Sequence, residues 1–235
     1  MNISFREDEQ SVYFTISDYP AEYEPVLKGS YYTPEGQGFY KKFDKNIDHM
    51  DQIKLNFATY AEEMFAQQGY FRPVQWEKGL LAFIKKIEGK GIDWWLTGSC
   101  ATRIRGISVE PHDIDIMLQS KDIEKIKKIF EHNIVEPIID TKGWVVDYFG
   151  VLFMDARIDV AFDPQDWVDA EAKADFGPYA GNHLEAVVWQ GYTIKVPPLK
   201  LQLEANRSRQ RWDRVSAIEA FLLAGMNSSE TEASK

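Results

Sequence analysis

The segment HDIDIMLQ (residues 112–119) constrains the fold of this chain more than any other, because acidic and apolar residues alternate at its centre. Alternation with a period of two predicts a β-strand. On a strand, Asp113 and Asp115 project from one face, whereas Ile114 and Ile116 point the other way, into a core. Two neighbouring carboxylates repel each other unless a cation lies between them. Oxygen ligands of this kind suit Mg²⁺ or Mn²⁺ better than zinc.

A second alternating segment, ARIDVAF (156–162), carries Asp159. If its strand pairs in register with the strand of Asp113 and Asp115, three carboxylates meet at one point. Three carboxylates can hold two divalent ions about 4 Å apart, which is the two-metal arrangement of phosphoryl transfer. A solvated strand face is the ordinary alternative for each acidic residue taken alone.

Upstream, the apolar run DWWLTG (93–98) ends in Gly98 and is followed by Ser99 at the start of a short predicted helix. Glycine lets the backbone approach a phosphate closely, and a helix N-terminus presents free N–H groups to an anion. Ser99 adds a hydroxyl donor. Arg103 follows within the same helix, and its guanidinium group suits phosphate oxygens. The sequence therefore predicts a phosphate-binding turn beside the carboxylates.

The ordered motifs TGS (97–99), HDIDIML (112–118) and RIDVAF (157–162) resemble the signature of the polymerase-β-type nucleotidyltransferase superfamily. Within it, residues 92–224 are similar to small bacterial nucleotidyltransferases, such as the aminoglycoside and lincosamide adenylyltransferases and the toxin–antitoxin nucleotidyltransferases. The segment PPLKLQLEANRSRQRWDR (197–214) resembles the helix that follows the core in several of them.

The resemblance implies particular roles for the motif residues. Asp113 and Asp115 would bind metal ions, and Asp159 would complete the metal site and help to deprotonate the attacking hydroxyl. Gly98 and Ser99 would hold the phosphates of a nucleoside triphosphate such as ATP, with Lys200 as a further phosphate ligand. The implied reaction moves a nucleoside monophosphate to an acceptor hydroxyl, with Mg²⁺ or Mn²⁺ as cofactor.

We predict an α+β fold with a small mixed sheet flanked by helices. The pattern divides into an N-terminal strand and helix extension (1–90), a nucleotidyltransferase core with a C-terminal helix (91–225) and a flexible tail (226–235). Hydrophobic periodicity predicts helices at 49–68, 73–88, 121–132 and 199–224, and strands at 11–17, 93–98, 112–119, 134–139, 144–153 and 155–162. Residues 18–47 are predicted to be irregular, with a hairpin around Pro34–Gly38.

The composition limits which acceptors and which cellular location we expect for this protein. With 27 basic and 37 acidic residues the net charge is −10, which disfavours long nucleic acid as a partner. A small hydroxylated, cationic acceptor suits this charge, whereas the basic stretch 195–214 favours a tRNA end or a partner protein. The charged N-terminus, the lack of a long apolar run and the single cysteine, Cys100, predict a cytoplasmic protein that spans no membrane.

Two other functions remain open at this point. Glycosyltransferases that use nucleotide sugars also hold Mn²⁺ with a DxD motif, but their chemistry requires neither the upstream Gly98–Ser99 turn nor a later aspartate. A non-catalytic member of the nucleotidyltransferase fold would bind nucleotide or a partner without turnover. Release of pyrophosphate, as opposed to a nucleoside diphosphate, distinguishes the first of these from nucleotidyl transfer.

Overall fold

The computed structural model describes residues 1–232, with side-chain surroundings through residue 225. Its strands are β1 (Asn2–Glu7), β2 (Ser11–Ser17), β3 (Thr33–Glu35), β4 (Gly38–Asp44), β5 (Trp95–Thr97), β6 (Ile114–Leu118), β7 (Ile134–Asp140), β8 (Val146–Met154), β9 (Ala156–Pro164), β10 (Glu185–Trp189) and β11 (Tyr192–Val196). Its α-helices are α1 (Glu24–Gly29), α2 (Met50–Gln68), α3 (Trp76–Ile87), α4 (Gly98–Arg103), α5 (Ile123–Ile129), α6 (Pro178–Gly181), α7 (Leu199–Ser208) and α8 (Trp212–Glu232).

The central sheet has five strands in the order β5-β6-β9-β8-β7. Strands β6 and β9 run parallel, and the other neighbours in this sheet are antiparallel. The apolar positions of β6, Ile114 and Ile116, are fully buried, as the alternation predicts. The predicted α+β class, with a small mixed sheet flanked by helices, is confirmed.

A second sheet of four antiparallel strands, in the order β1-β2-β4-β3, is built from the N-terminal residues. Helix α2 contacts both β1 of this sheet and β7 of the central sheet, and α3 packs on β8 and β9. One hydrophobic core includes Phe14 from β2, Phe57 from α2 and Phe162 from β9. The N-terminal residues and the central sheet are therefore packed against each other.

A buried ion pair links the two sheets. Glu136 of β7 is 2% exposed and accepts hydrogen bonds from Lys41 Nζ (2.5 Å) and from the Tyr32 hydroxyl (2.9 Å). A buried carboxylate is tolerated only when its oxygens are paired in this way. Lys41 also donates to the carbonyl of Ser30 (3.2 Å), which fixes the segment after α1.

The prediction of one helix at 199–224 is wrong, because the chain breaks between α7 and α8. Gln210 adopts a left-handed backbone conformation (φ 55°), which no continuous helix contains. The predicted irregular region 18–47 contains the hairpin of β3 and β4, but also α1. Strands β1, β10 and β11 were not predicted.

The predicted tail at 226–235 is helical in α8 as far as Glu232. Residues 233–235 lie outside the described residues. Among the described residues, no helix combines the length and apolar character that crossing a membrane requires.

Candidate active site

The three aspartates that the motifs single out lie together. Strands β6 and β9 pair in parallel, with Asp115 directly opposite Asp159, and Asp113 comes just before β6. One carboxylate oxygen from each residue lies within 4.8 Å of the other two. Three oxygen donors at this spacing match the ligands that a hard divalent cation such as Mg²⁺ takes.

Burial raises the pKa of all three carboxyl groups, and neighbouring carboxylate charges add to this for Asp115 and Asp159. Burial is the main cause for Asp113, where Arg157 and Arg214 act in the opposite direction. For Asp115, burial and then the charges of Asp113 and Asp159 raise the pKa well above its usual value. Burial raises the pKa of Asp159 to about 6, against the opposing effect of Arg157. A bound cation would offset the repulsion that contributes to the raised pKa values of Asp115 and Asp159.

Gly98 lies directly beside this cluster, at the start of α4. Its backbone is left-handed (φ 65°), and a Cβ atom at this position would collide with the carboxylate of Asp115. Only glycine therefore fits between the turn and the carboxylates. The Gly98 carbonyl accepts a hydrogen bond from Gln202 Nε2 (2.8 Å) of α7, which holds the turn in place.

A cleft in two parts opens over the cluster. The larger part, of about 880 Å³, extends across β9, β8 and β7 and is lined by Asp159, Phe149, Glu136 and Trp144 among others. The smaller part, of about 370 Å³, lies on the side of Ser99 and also contacts Ser30, His112 and Arg214. Both parts share Gly98, Asp113, Asp115, Arg209 and Arg211. The carboxylates thus lie where the two parts meet.

Arg157 holds Asp159 in a fixed orientation. Its Nε donates to Oδ1 (2.5 Å) and its Nη2 to Oδ2 (3.2 Å), a two-point contact that a lysine cannot make. Although burial opposes the charge of Arg157, Asp159 and Glu136 raise the pKa of this guanidinium. Arg157 therefore stays charged and fixes the orientation of Asp159.

Three arginines line the smaller part of the cleft: Arg209, Arg211 and Arg214. Burial and the charges of Arg214 and Arg209 lower the pKa of Arg211, so the three repel one another. The nearest anion to Arg209 is Asp175, 3.7 Å from Nη2. A cluster of repelling guanidinium groups facing an open pocket is a site for an anion such as a phosphate.

The structure brings five of the seven predicted site residues to the cleft: Gly98, Ser99, Asp113, Asp115 and Asp159. It does not bring Arg103 or Lys200 there, since neither is among the described residues that line either part. Lys200 is exposed on α7. The basic side chains that do reach the cleft from this region come from the turn after α7 and from the start of α8, where no break was predicted.

Other cleft residues had no separate sequence signal. Lys41 and Glu136 come from strands far apart in the chain, and neither belongs to a motif. The cluster of six basic residues at 195–214 did indicate an anion site, but not which of its members face the carboxylates.

Residues 79–165 match the model of the aminoglycoside-2''-adenylyltransferase family. The match covers somewhat more than a third of the chain, from α3 to β9, and includes Gly98, Ser99 and the three aspartates. No curated protein matches the chain in sequence.

Several solved structures are similar to it, including the following three. A nucleotidyltransferase candidate from Thermotoga maritima is 20% identical, with 62% of this chain and 91% of that chain covered and a TM-score of 0.47. The lincosamide antibiotic adenylyltransferase LnuA, bound to lincomycin, is 14% identical, with 61% and 96% covered and a TM-score of 0.45. ANT(2'')-Ia in complex with adenylyl-2''-tobramycin is 14% identical, with 62% and 89% covered and a TM-score of 0.41.

The family match confirms the resemblance that the motifs predict, and with it the enzyme class, a nucleotidyltransferase. The individual roles of the aspartates, of Gly98 and of Ser99 stay predictions.

Proposed function

We propose that this protein transfers a nucleoside monophosphate, with ATP as donor, to a hydroxyl group of a small molecule, and that it requires Mg²⁺ or Mn²⁺. The observation that carries the proposal is the meeting of three carboxylates with a glycine turn and three arginines in one cleft. Anion-binding and cation-binding groups side by side are what a metal-bound triphosphate needs. The predicted cytoplasmic location, where nucleoside triphosphates are abundant, is part of the proposal.

The donor's phosphates would bind in the smaller part of the cleft. Arg209, Arg211 and Arg214 offer guanidinium groups to the phosphate oxygens, and Ser99 offers its hydroxyl. The absence of a side chain at Gly98 leaves the backbone open to the phosphates. A donor bound in this way would present its α-phosphorus to Asp113 and Asp115.

Asp159 would receive the proton of the acceptor hydroxyl. As the acceptor oxygen bonds to the α-phosphorus, the bond from that phosphorus to the bridging oxygen breaks, and pyrophosphate leaves. In the metal-free protein the pKa of Asp159 is about 6, so its carboxylate is ionised at pH 7 and able to accept a proton. Arg157 keeps its oxygens oriented during this step.

Asp113, Asp115 and Asp159 would hold the metal, because their oxygens form a compact set of hard donors. When bound, a divalent ion neutralises triphosphate charge and lowers the pKa of the attacking hydroxyl. The role of this chain is to orient the donor and the acceptor and to keep their reacting atoms in line.

The test compares Asp159→Asn and Asp115→Asn with the wild type. Labelled ATP and Mg²⁺ are incubated with the protein and with lincomycin, tobramycin or a cell extract, and transferred label and pyrophosphate are measured. Asp159→Asn should keep most of the ATP affinity but lose about 10²-fold or more in rate. Asp115→Asn should lose both ATP–Mg²⁺ binding and transfer.

Asp51→Asn is the matched control, because the Asp51 side chain is fully exposed on α2 and distant from the cluster in sequence. It should transfer at the wild-type rate. Undiminished transfer by Asp159→Asn would show that another group takes the proton. Label found only on protein or RNA from the extract would replace the small-molecule acceptor, and release of nucleoside diphosphate would contradict nucleotidyl transfer.

A further inference from the structure

Three aromatic side chains form one wall of the larger part of the cleft: Tyr31, Trp144 and Phe149. The ring centres of Tyr31 and Trp144 are 5.9 Å apart and those of Trp144 and Phe149 are 6.0 Å apart, both edge-to-face. Tyr31 is 70% exposed and Trp144 is 45% exposed. A group of solvent-exposed aromatic rings beside a cleft indicates a ligand-binding surface.

The backbone holds two of these rings in place without burying them. The backbone of Tyr31 adopts the left-handed conformation (φ 64°), which is strained for a residue with a side chain. The Trp144 amide donates to Thr141 Oγ1 (3.2 Å) directly after Gly143, which is also left-handed. Residues in strained conformations of this kind cluster at active sites and ligand clamps.

The order of the sheet places this wall on the side opposite the donor's phosphates. Gly98 follows β5 at one edge, Asp159 is on β9, and the aromatic wall lies over β8 and β7 at the other edge. Neighbouring strands are about 4.8 Å apart, so the surface beyond Asp159 extends about 10 Å, enough for one or two rings. In an in-line displacement the acceptor lies opposite the leaving pyrophosphate.

We propose that Tyr31, Trp144 and Phe149 form the acceptor subsite and that the acceptor is a hydroxylated ring compound with an apolar face. The ring would lie against Tyr31 and Trp144, with one of its hydroxyl groups directed towards Asp159. The subsite rests on the proposed function for the position of the reacting hydroxyl. In this proposal the N-terminal segment contributes to acceptor binding, because Tyr31 belongs to it.

The test measures two affinities by calorimetry, each without turnover. Acceptor binding is measured in EDTA with no nucleotide, using lincomycin, tobramycin and a set of simple glycosides. ATP binding is measured separately with Mg²⁺. Trp144→Ala and Tyr31→Ala should weaken acceptor binding about tenfold, as expected from the loss of one aromatic contact, and leave ATP binding within about twofold.

Trp144→Phe should restore most of the acceptor affinity, because it keeps an aromatic ring. Trp167→Ala is the matched control: Trp167 is 56% exposed, and it is not among the described residues that line the cleft. Loss of ATP binding in Trp144→Ala, with acceptor binding unchanged, would assign the wall to the nucleobase and overturn the proposal. So would unchanged affinities for both ligands, or a wild type that binds none of the ring compounds.

The two proposals fail in different ways. If acceptor binding depends on Trp144 but no label is transferred, the subsite stands and the proposed reaction is wrong. If label is transferred and the KM for the acceptor is the same in Trp144→Ala as in the wild type, the reaction stands and the subsite is wrong.

Discussion

Replacing Asp115 with asparagine should make the metal-free protein more stable at pH 8. Asp115 sits between Asp113 and Asp159, and burial together with these two charges raises its pKa well above the usual value. Asparagine has nearly the same shape and no charge, so Asp115→Asn removes the repulsion and leaves no gap. A residue needed only for packing would behave in the opposite way.

The magnitude follows from the separation of the oxygens. Two full charges 4.8 Å apart repel by about 3 kcal/mol at an effective dielectric constant of about 20. The wild type avoids part of this cost by taking up a proton, so we expect Asp115→Asn to gain about 1–3 kcal/mol in the free energy of unfolding. For a chain of this length that corresponds to about 2–4 °C in Tm for each kcal/mol.

The gain should depend on pH with a definite sign. Because the pKa of Asp115 is higher in the folded chain than in the unfolded one, its contribution to stability is fully present below the unfolded value, near 3.8. That contribution is lost as the pH rises through the folded value. Asparagine does not titrate, so the advantage of Asp115→Asn should be small at pH 4.5 and largest at pH 8.

Urea unfolding followed by tryptophan fluorescence, in EDTA at pH 4.5 and pH 8, measures this difference directly. Asp51→Asn, at a fully exposed position, should change the free energy of unfolding by less than about 0.5 kcal/mol at either pH. If Asp115→Asn destabilises the protein at pH 8 by about 1 kcal/mol or more, the carboxylate is structural and the repulsion does not dominate its effect on stability.

Three further predictions concern the same cleft. The affinity for Mg²⁺, measured by calorimetry, should fall as the pH drops through about 6, because protons then compete with the ion for Asp159. Equal affinities at pH 5 and at pH 7.5 would contradict this prediction. In urea unfolding, Gly98→Ala should lower the free energy of unfolding by more than Gly89→Ala. Both glycines have a left-handed backbone, but only a Cβ atom at Gly98 would meet a neighbouring atom. Equal losses would exclude the collision with Asp115. Arg211→Gln should weaken ATP binding about 10-fold or more in calorimetry, and an unchanged affinity would remove it from the phosphate site.

The elements that carry the aspartates could be predicted because their signal is local. Alternation along 112–119 and 156–162 fixes which side chains share a face, and pairing in register then brings Asp159 opposite Asp115. The period of a strand predicts the shared faces, whereas the pairing of the two strands was a condition that the structure supplies. The hairpin of β3 and β4 was likewise predicted from a short Pro and Gly segment.

The arginine turn could not be predicted in the same way. The apolar periodicity of α7 continues into α8, and the residue that breaks the helix is Gln210, which has neither the flexibility of glycine nor the fixed ring of proline. The break turns Arg209 and Arg211 towards the carboxylates. Lys200 was expected as a phosphate ligand only because the segment 197–214 resembles a helix of the family. The hairpin of β10 and β11 was missed although its turn, Gln190–Gly191, carries a glycine signal.

The contacts between the N-terminal residues and the core depend on long-range packing, which local patterns do not encode. The ion pair of Lys41 and Glu136 joins residues from two different sheets. No property of either segment alone specifies this partner. The boundary predicted at residue 90 therefore stays a prediction.

The cleft takes its walls from residues that are far apart in the sequence, from Tyr31 to Arg214. During synthesis on a ribosome, Lys41 emerges long before Glu136 is made, and the donor side is completed only when Arg214 has left the exit tunnel. A chain that ends before Arg214 would therefore lack part of the smaller part of the cleft. Under the proposed function, ATP binding would require that translation has passed residue 214.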